Sequence, residues 1–370
     1  MIPIYKPYLS KYKKSCIQAI NDEWVSNHGI YVDLAADVLC KILNVKFCIL
    51  MNNGTSATHC LFKALKFKYP SIKKIYIPNH VFIAPMNCAL QEYNHEQIEI
   101  MNFDDKTFNI DTSEQYIKTL EPNSAIVIVH NIGNIINVPR LKRLRPDIIF
   151  VEDNCEGLFG KYEHNYSGSC KDSLCSAVSF YGNKILTTGE GGAFFTNDYD
   201  VYKYIKTYYS HGMSDKRYIH SMQGTNYRMT NVQAALLYDQ LNDLEHILTL
   251  KKQIFMNYKN LLAPLFCEGK IKFIKEEEYT ESAPWMFACI VKNINYEDME
   301  KYFLEKNIQI RPCFYDMREH LYLKDIKIHD TKMFDITREC VMFPSYPQLS
   351  LEEQTYIVKI LTDYLMSSVM

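Results

Sequence analysis

Short apolar runs recur through the first two-thirds of the chain, at 47–51, 75–77, 98–101, 125–130, 148–151, 177–180 and 192–196. Each is rich in β-formers and bounded by Gly, Asn, Pro or Asp, the pattern of a strand buried on both faces. Segments of helical period lie between them. In residues 55–67, for example, Ala57, Cys60, Leu61, Ala64 and Leu65 fall on one helix face. The alternation predicts an α/β fold, a three-layer unit around a mostly parallel seven-stranded sheet. After about Asp243 the pattern changes. A helical stretch over 232–262 leads into a mixed region, with strands at 285–291 and 308–311 and helices at 296–305 and 351–366. The chain thus divides into a larger unit over 1–243 and a smaller α+β unit over 244–370. A helix joins them, since no Pro/Gly/Ser-rich linker intervenes.

At 370 residues, 47% hydrophobic and 23% charged, the composition is that of a globular chain with room for two cores. Lys and Arg (41) nearly balance Asp and Glu (43), leaving a net charge of −2. That balance argues against a nucleic-acid binder working by phosphate neutralisation, though not against a local basic pocket. The opening MIPIYKPYLSKYKK has no apolar signal core, and no apolar run is long enough for a bilayer. The expectation is a cytoplasmic protein with no membrane partner. Twelve cysteines include no C-x-x-C, the closest pair being Cys170 and Cys175. They read as free thiols in apolar stretches, with no metal site and no disulfide framework.

Five motifs carry candidate chemistry. In SFYGNKILTTGEGG (179–192) a lysine follows a buried strand and precedes a glycine-rich turn. Such a lysine is most often a solvated loop residue. Here Ser179, Tyr181 and Asn183 set polar groups beside it, and Gly189, Gly191 and Gly192 permit close backbone approach. Lys184 is therefore a candidate amine nucleophile toward an aldehyde, carrying pyridoxal 5'-phosphate (PLP) as a Schiff base. In FVEDNCEG (150–157), Asp153 stands at a strand end. It is either a helix N-cap or the partner of a pyridinium nitrogen, and Glu156 is then within reach of the ring's phenolic oxygen. In MNNGTSATHC (51–60), Gly54, Thr55 and Ser56 open a helix, as a phosphate cradle or as an ordinary Ser/Thr cap. In PNHVFIAPMN (78–87), Phe82 is either core or a platform for a flat ring. In GTNYRMTNVQAA (224–235), Asn226 and Arg228 precede a helix, as a cap with a surface arginine or as a phosphate contact reaching a neighbouring subunit. The set is more telling than its members. A nucleophilic lysine, an acid, a phosphate cradle and an aromatic all fall at strand ends of one α/β unit, where open sheets place ligands.

With these residues the chain resembles the DegT/DnrJ/EryC1 family of sugar-nucleotide aminotransferases, most of all the perosamine- and viosamine-synthase type of 4-aminotransferase. The resemblance runs from IPIYKPYLS through EWVSNHGIYVD, NGTSATH, VEDNCEG, SFYGNKILTTGEGG and NYRMTNVQAA to RPCFYDM and FPSYPQLSLEE. It implies the type I, aspartate aminotransferase-like fold and a homodimer with shared active sites. It also implies transfer of an amino group from L-glutamate, leaving 2-oxoglutarate, to C4 of a nucleotide-linked 4-keto-6-deoxy hexose. Carried over motif by motif, Lys184 is the Schiff-base lysine and general acid–base, and Asp153 is the partner of the ring nitrogen. Glu156, where many relatives have Gln, lies by the phenolic oxygen, and Phe82 is the stacking aromatic. Gly54, Thr55, Ser56 and Ser179 hold the phosphate, with Asn226 supplied by the partner subunit. Trp24 and Asn27 of the EWVSNHG loop, Arg311 and Tyr315 are candidate contacts for the nucleotide sugar, with a core tryptophan and a surface ion pair as the ordinary alternatives.

Three departures stand out: HNIGN at 130–134 where H-L-Y-G-H is frequent, Cys155 for alanine, and Asp316 and Met317 where Pro and Val are common. They bear on the substrate rather than on the cofactor. Within the fold, a PLP-dependent sugar dehydratase would carry His in place of Lys184, and a 3-aminotransferase is chemically close. A non-catalytic scaffold or regulator would have lost Lys184 or Asp153. A nucleotide-binding protein using NGTSATH as its phosphate site would need the Walker lysine that this chain lacks.

Overall fold

The computed structural model describes residues 1–324, 326–328 and 336–367. All seven apolar runs form strands of one sheet: β1 (Phe47–Met51), β2 (Ile75–Ile77), β3 (Ile98–Ile100), β4 (Ala125–Val129), β5 (Ile149–Asp153), β6 (Cys175–Ser179) and β7 (Gly192–Thr196). The spatial order is β1-β7-β6-β5-β4-β2-β3. Strands β6 through β3 pair in parallel, whereas β7 is antiparallel to both β1 and β6. An eighth strand, Lys327–Ile328, extends the sheet in parallel beside β3. Two residues are too few for a hydrophobic period to announce them.

Alternation along the strands makes the layers. Ile49, Ala177 and Phe194 face the Gly54–Lys68 helix with Leu61 and Leu65, while Leu50, Val178 and Phe195 face Leu39 and Leu237 on the other side. Each fully buried Leu or Phe contributes about 1.5–3 kcal/mol through removal of its surface from water. The sequence-predicted α/β architecture is borne out.

The predicted helix over 232–262 is two helices, Asn231–Leu241 and Leu244–Cys267. Asp243 leaves helical geometry at φ −122°, ψ 24°, and its carboxylate accepts a 2.8 Å hydrogen bond from the Tyr12 hydroxyl. Periodicity conceals the break because Leu237, Leu241, Leu244, Ile247 and Leu248 all enter one core. Farther along, Ile254, Tyr258, Leu262 and Leu265 enter a second core, so this helix joins the two. The second core surrounds an antiparallel sheet of β8 (Ile271–Phe273), β9 (Phe287–Val291), β10 (Arg311–Pro312) and β11 (Cys340–Phe343), in the order β8-β9-β11-β10. Helices Tyr296–Glu305 and Leu351–Ser367 pack on it. The strand expected at 308–311 begins only at Arg311, because Gln309 pairs instead with Ile2 near the N-terminus, its N–H donating to Ile2 O at 3.0 Å. Among the described residues, no helix is long and apolar enough to cross a membrane.

Candidate active site

A cavity of about 810 Å³ opens at the carboxyl ends of β4, β5 and β6, between the large sheet and the 311–320 segment. Ser179 ends β6 opposite Gly192, the first residue of β7. The loop between them is closed by bonds from Phe180 N–H to Gly191 O (2.8 Å) and from Thr188 N–H to Phe180 O (2.9 Å). Lys184 lies in this loop and lines the cavity. Its Nζ is 3.8 Å from Oε1 of Glu156 and 4.1 Å from the centroid of the Trp285 ring. The Trp285 indole N–H donates to Asn183 O at 3.1 Å, tying the aromatic to the lysine's own loop. The amine therefore sits between the Glu156 carboxyl group and the Trp285 π-face.

No helix starts at Asp153, so the capping alternative does not apply. Its Oδ1 accepts from Cys155 N–H at 3.1 Å and its Oδ2 from the Thr58 hydroxyl at 2.9 Å. This buried carboxylate lines the cavity. Glu156 is buried too, and its Oε2 accepts from Ile132 N–H at 2.8 Å. Burial pushes the Glu156 carboxyl up to about 7, against the downward pull of the Lys184 ammonium. Ile132 holds φ +58°, a left-handed conformation that a β-branched residue adopts only when its surroundings impose it. The rest of HNIGN does so. His130 Nδ1 accepts from Ile136 N–H (3.1 Å), leaving Nε2–H for Glu152 (3.1 Å). Asn131 and Asn134 each donate to two backbone carbonyls.

The cap of the Gly54–Lys68 helix is Asn53, whose side chain accepts from Ser56 N–H at 2.8 Å, so the alternative of a Ser/Thr cap does not apply. Thr55 is thereby left free to line the cavity with Gly54, while Ser56 is buried behind them and absent from the lining. A Cβ at Gly54 would lie 2.6 Å from Ser179 Cβ, so only glycine lets the helix start approach the end of β6. The first-turn N–H groups there lack intrahelical acceptors and suit an anion. Phe82 is not core: it is 56% exposed, lines the cavity, and stands edge-on to Phe314 with centroids 6.1 Å apart. Arg311 and Tyr315 line the same cavity. The Arg311 guanidinium lies over the Tyr5 ring (5.3 Å) and has no carboxylate partner among the described residues. Oδ1 of Asn183 is buried with no hydrogen-bond partner among them.

Trp24, Asn27, Asn226 and Arg228 are absent from the cavity lining. Trp24 is 59% exposed, so it is neither core nor in the cavity. Asn231 links the two segments that carry these residues: its Nδ2 donates to Trp24 O (2.6 Å) and its N–H to Ser26 O (2.6 Å). Arg228 pairs with Asn226 Oδ1 (3.0 Å) instead of an acid, and Asn52 N–H donates to Tyr227 O (2.9 Å), placing this stretch beside the helix start. Sequence reasoning missed Thr58, Asn53 and Trp285, whose partners lie far away or on the backbone.

An amine, two buried carboxyls, a glycine-built helix start and an exposed aromatic converge in one cavity. Such a set fits a flat, phosphorylated aromatic aldehyde. The profile of the DegT/DnrJ/EryC1/StrS aminotransferase family matches residues 9–362. The chain is 27% identical over 369 residues to GDP-perosamine synthase of Escherichia coli O157:H7, covering 98% of each. It is 32% identical over 296 residues to UDP-4-amino-4,6-dideoxy-N-acetyl-beta-L-altrosamine transaminase of Campylobacter jejuni, covering 77% of this chain and 75% of that one. In fold it is similar to E. coli GDP-4-keto-6-deoxy-D-mannose-3-dehydratase with bound hydrated PLP, at a TM-score of 0.86 and 18% identity over 98% of this chain and 99% of that one.

Proposed function

We propose, because the chain belongs to the DegT/DnrJ/EryC1/StrS aminotransferase family, that this PLP-dependent enzyme passes an amino group from L-glutamate to C4 of a nucleotide-linked 4-keto-6-deoxy hexose. The observation that carries the reading is the meeting of Lys184, Asp153 and Glu156 with the Gly54 helix start in one cavity. When bound, PLP supplies an electrophilic aldehyde carbon and a protonated ring that draws electrons from the substrate carbon. Asp153, fixed by Thr58 and Cys155 N–H, would hold the proton on the ring nitrogen. Gly54, Thr55 and Ser179 hold the phosphate, and Ser56 acts through the Asn53 cap. Phe82 would cover the ring, and Glu156 would serve its phenolic oxygen; both line the cavity. Lys184 would anchor the cofactor, and its Nζ is the group that would carry a proton away from glutamate Cα and later bring one to the sugar C4. Arg311 and Tyr315 receive the nucleotide end. A lysine at 184 favours amination over the dehydratase alternative.

Asn226 and Arg228 lie outside the chain's own cavity, as do Trp24 and Asn27. Ile17, Ile20, Trp24, Val25 and Ile30 are all at least 48% exposed on neighbouring segments. A second copy covering this apolar face gives these residues a role in the partner's cavity, which supports a homodimer with shared sites. The test is a substrate panel: glutamate with the 4-keto-6-deoxy sugars made from UDP-glucose, dTDP-glucose and GDP-mannose, read by product mass. An amino sugar from one of them is expected; amination of none would remove the sugar assignment.

A further inference from the structure

We propose that Asp316 is a positioning residue, clasping the segment that carries Arg311 and Tyr315 to the segment that carries Phe82. This rests on the assignment of the cavity to a nucleotide sugar. Asp316 is 2% exposed and reaches no cavity surface. Its Oδ2 accepts from Asn79 Nδ2 at 3.0 Å and lies 3.6 Å from His80 Nε2. Its Oδ1 accepts from the N–H and the Nε of Arg318, each at 2.8 Å, and the Arg318 guanidinium also pairs with Oδ2. Asn79 returns the grip: its Oδ1 accepts from Met317 N–H at 2.8 Å. One buried amide thus holds both the side chain of residue 316 and the backbone of residue 317.

Both clasped segments line the cavity. Phe82 lies three residues after Asn79, and Arg311, Phe314 and Tyr315 lie within five residues before Asp316. The segments meet again in the edge-on pair of Phe82 and Phe314 and in the apolar cluster that holds Val81 and Met317. The Phe82 side has a second tether, since Asn131 Nδ2 donates to His80 O at 2.7 Å. On the other side, Arg311 and Pro312 pair with Met342 and Val341 and Cys313 N–H donates to Cys340 O (2.9 Å), so loss of the clasp falls on Phe314 and Tyr315, beyond that strand. A buried carboxylate accepting several donors, one of them charged, is worth more than a neutral turn bond, and its loss takes an acceptor from Asn79 and Arg318. Asp316, where the family resemblance leads one to expect proline, is in this chain the fixed point that holds Phe314 and Tyr315 after the strand carrying Arg311 has ended.

The test uses the PLP-loaded enzyme and three variants: Asp316→Asn, the exchange Asn79→Asp with Asp316→Asn, and Asn79→Ala. In the exchange, the carboxylate at 79 still accepts from Met317 N–H and now accepts from the amide at 316. UDP, dTDP and GDP are titrated by calorimetry, and the glutamate half-reaction is followed by cofactor absorbance. For the diphosphate that wild type binds best, Asp316→Asn is expected to weaken binding about tenfold and the exchange to return it to within about threefold. The glutamate half-reaction is expected to stay within about threefold throughout. Should Asp316→Asn fold poorly, Asn79→Ala breaks the bridge while leaving the Asp316–Arg318 pair, and the same loss is expected. Unchanged diphosphate binding in both single variants, or a loss that the exchange does not reverse, overturns the proposal. If wild type binds none of the three, the nucleotide assignment fails on its own. Amide exchange at Met317 and Arg318 then decides the clasp: it quickens about tenfold or more in Asp316→Asn if the clasp exists, and is unchanged if it does not.

Discussion

Glu156→Gln in the cofactor-free protein isolates the cost of a buried carboxyl beside Lys184. Burial raises this group from 4.5 to about 7. At roughly 1.4 kcal/mol per pH unit, that gap corresponds to about 3 kcal/mol. The sign follows from the direction. A carboxyl raised in the folded state binds its proton more tightly there than in the unfolded chain. Its favourable contribution is whole below pH 4.5 and is lost as pH rises through about 7. Glu156 is only 6% exposed, so solvent screening removes little of this. Glutamine keeps an acceptor for Ile132 N–H but cannot ionise. Denaturant midpoints of both proteins are measured from about pH 4.5 to about pH 8.5, and stability differences are taken between them at each pH. Groups common to both cancel. Glu156→Gln is expected to gain on wild type as pH rises, by about 3 kcal/mol across the window, most of it between about pH 5 and about pH 7. A difference that stays flat, or one that runs the other way, would refute the assignment of that burden to Glu156.

Lys184→Ala should abolish amine transfer from glutamate and the visible absorbance of bound cofactor while leaving the fold intact by circular dichroism; full turnover in this variant would end the proposed mechanism. Gly54→Ala puts a Cβ within 2.6 Å of Ser179 Cβ, and overpacking of that kind costs about 1–3 kcal/mol. Its expected signature is weaker PLP binding in a cofactor titration. Thr58→Val removes the 2.9 Å bond to Asp153 at almost constant volume, and a bond to a charged group is worth about 1.5–3 kcal/mol. The glutamate half-reaction should slow at least tenfold in stopped-flow absorbance, with glutamate KM changed much less.

The parts of the site that lie along one strand end were legible in the sequence. Lys184, Asp153 and Gly54 each sit where an apolar run stops, and hydrophobic period marks that point. Contacts across the chain were not. Thr58 looks like one more polar residue in a helix until the fold brings it to Asp153, 95 positions away. Trp285 reads as the first residue of a strand, and nothing in its neighbourhood announces Lys184, 101 positions away in the sequence and 4.1 Å away in space. Asn53 carries no signal of its own beside Thr55 and Ser56, whose hydroxyls are equally able to cap a helix. Asp316 showed only as a departure from the family pattern. Its role depends on Asn79, and no local pattern encodes such a partnership.

The antiparallel strand β7 has a consequence for how this chain tolerates change. Parallel neighbours are joined by crossovers whose length matters little to the register of either strand. The connection from β6 to β7 is different, because Ser179 and Gly192 are register partners and Phe180 and Gly191 are bonded across the loop that holds Lys184. An added or missing residue between them moves Lys184 relative to Glu156 and Trp285 or shifts one strand against the other, turning its side chains to the opposite layer. Insertions can collect in the 213–221 loop without touching the cavity lining. Between 180 and 191, the number of residues is itself part of what sets Lys184 beside Glu156 and Trp285.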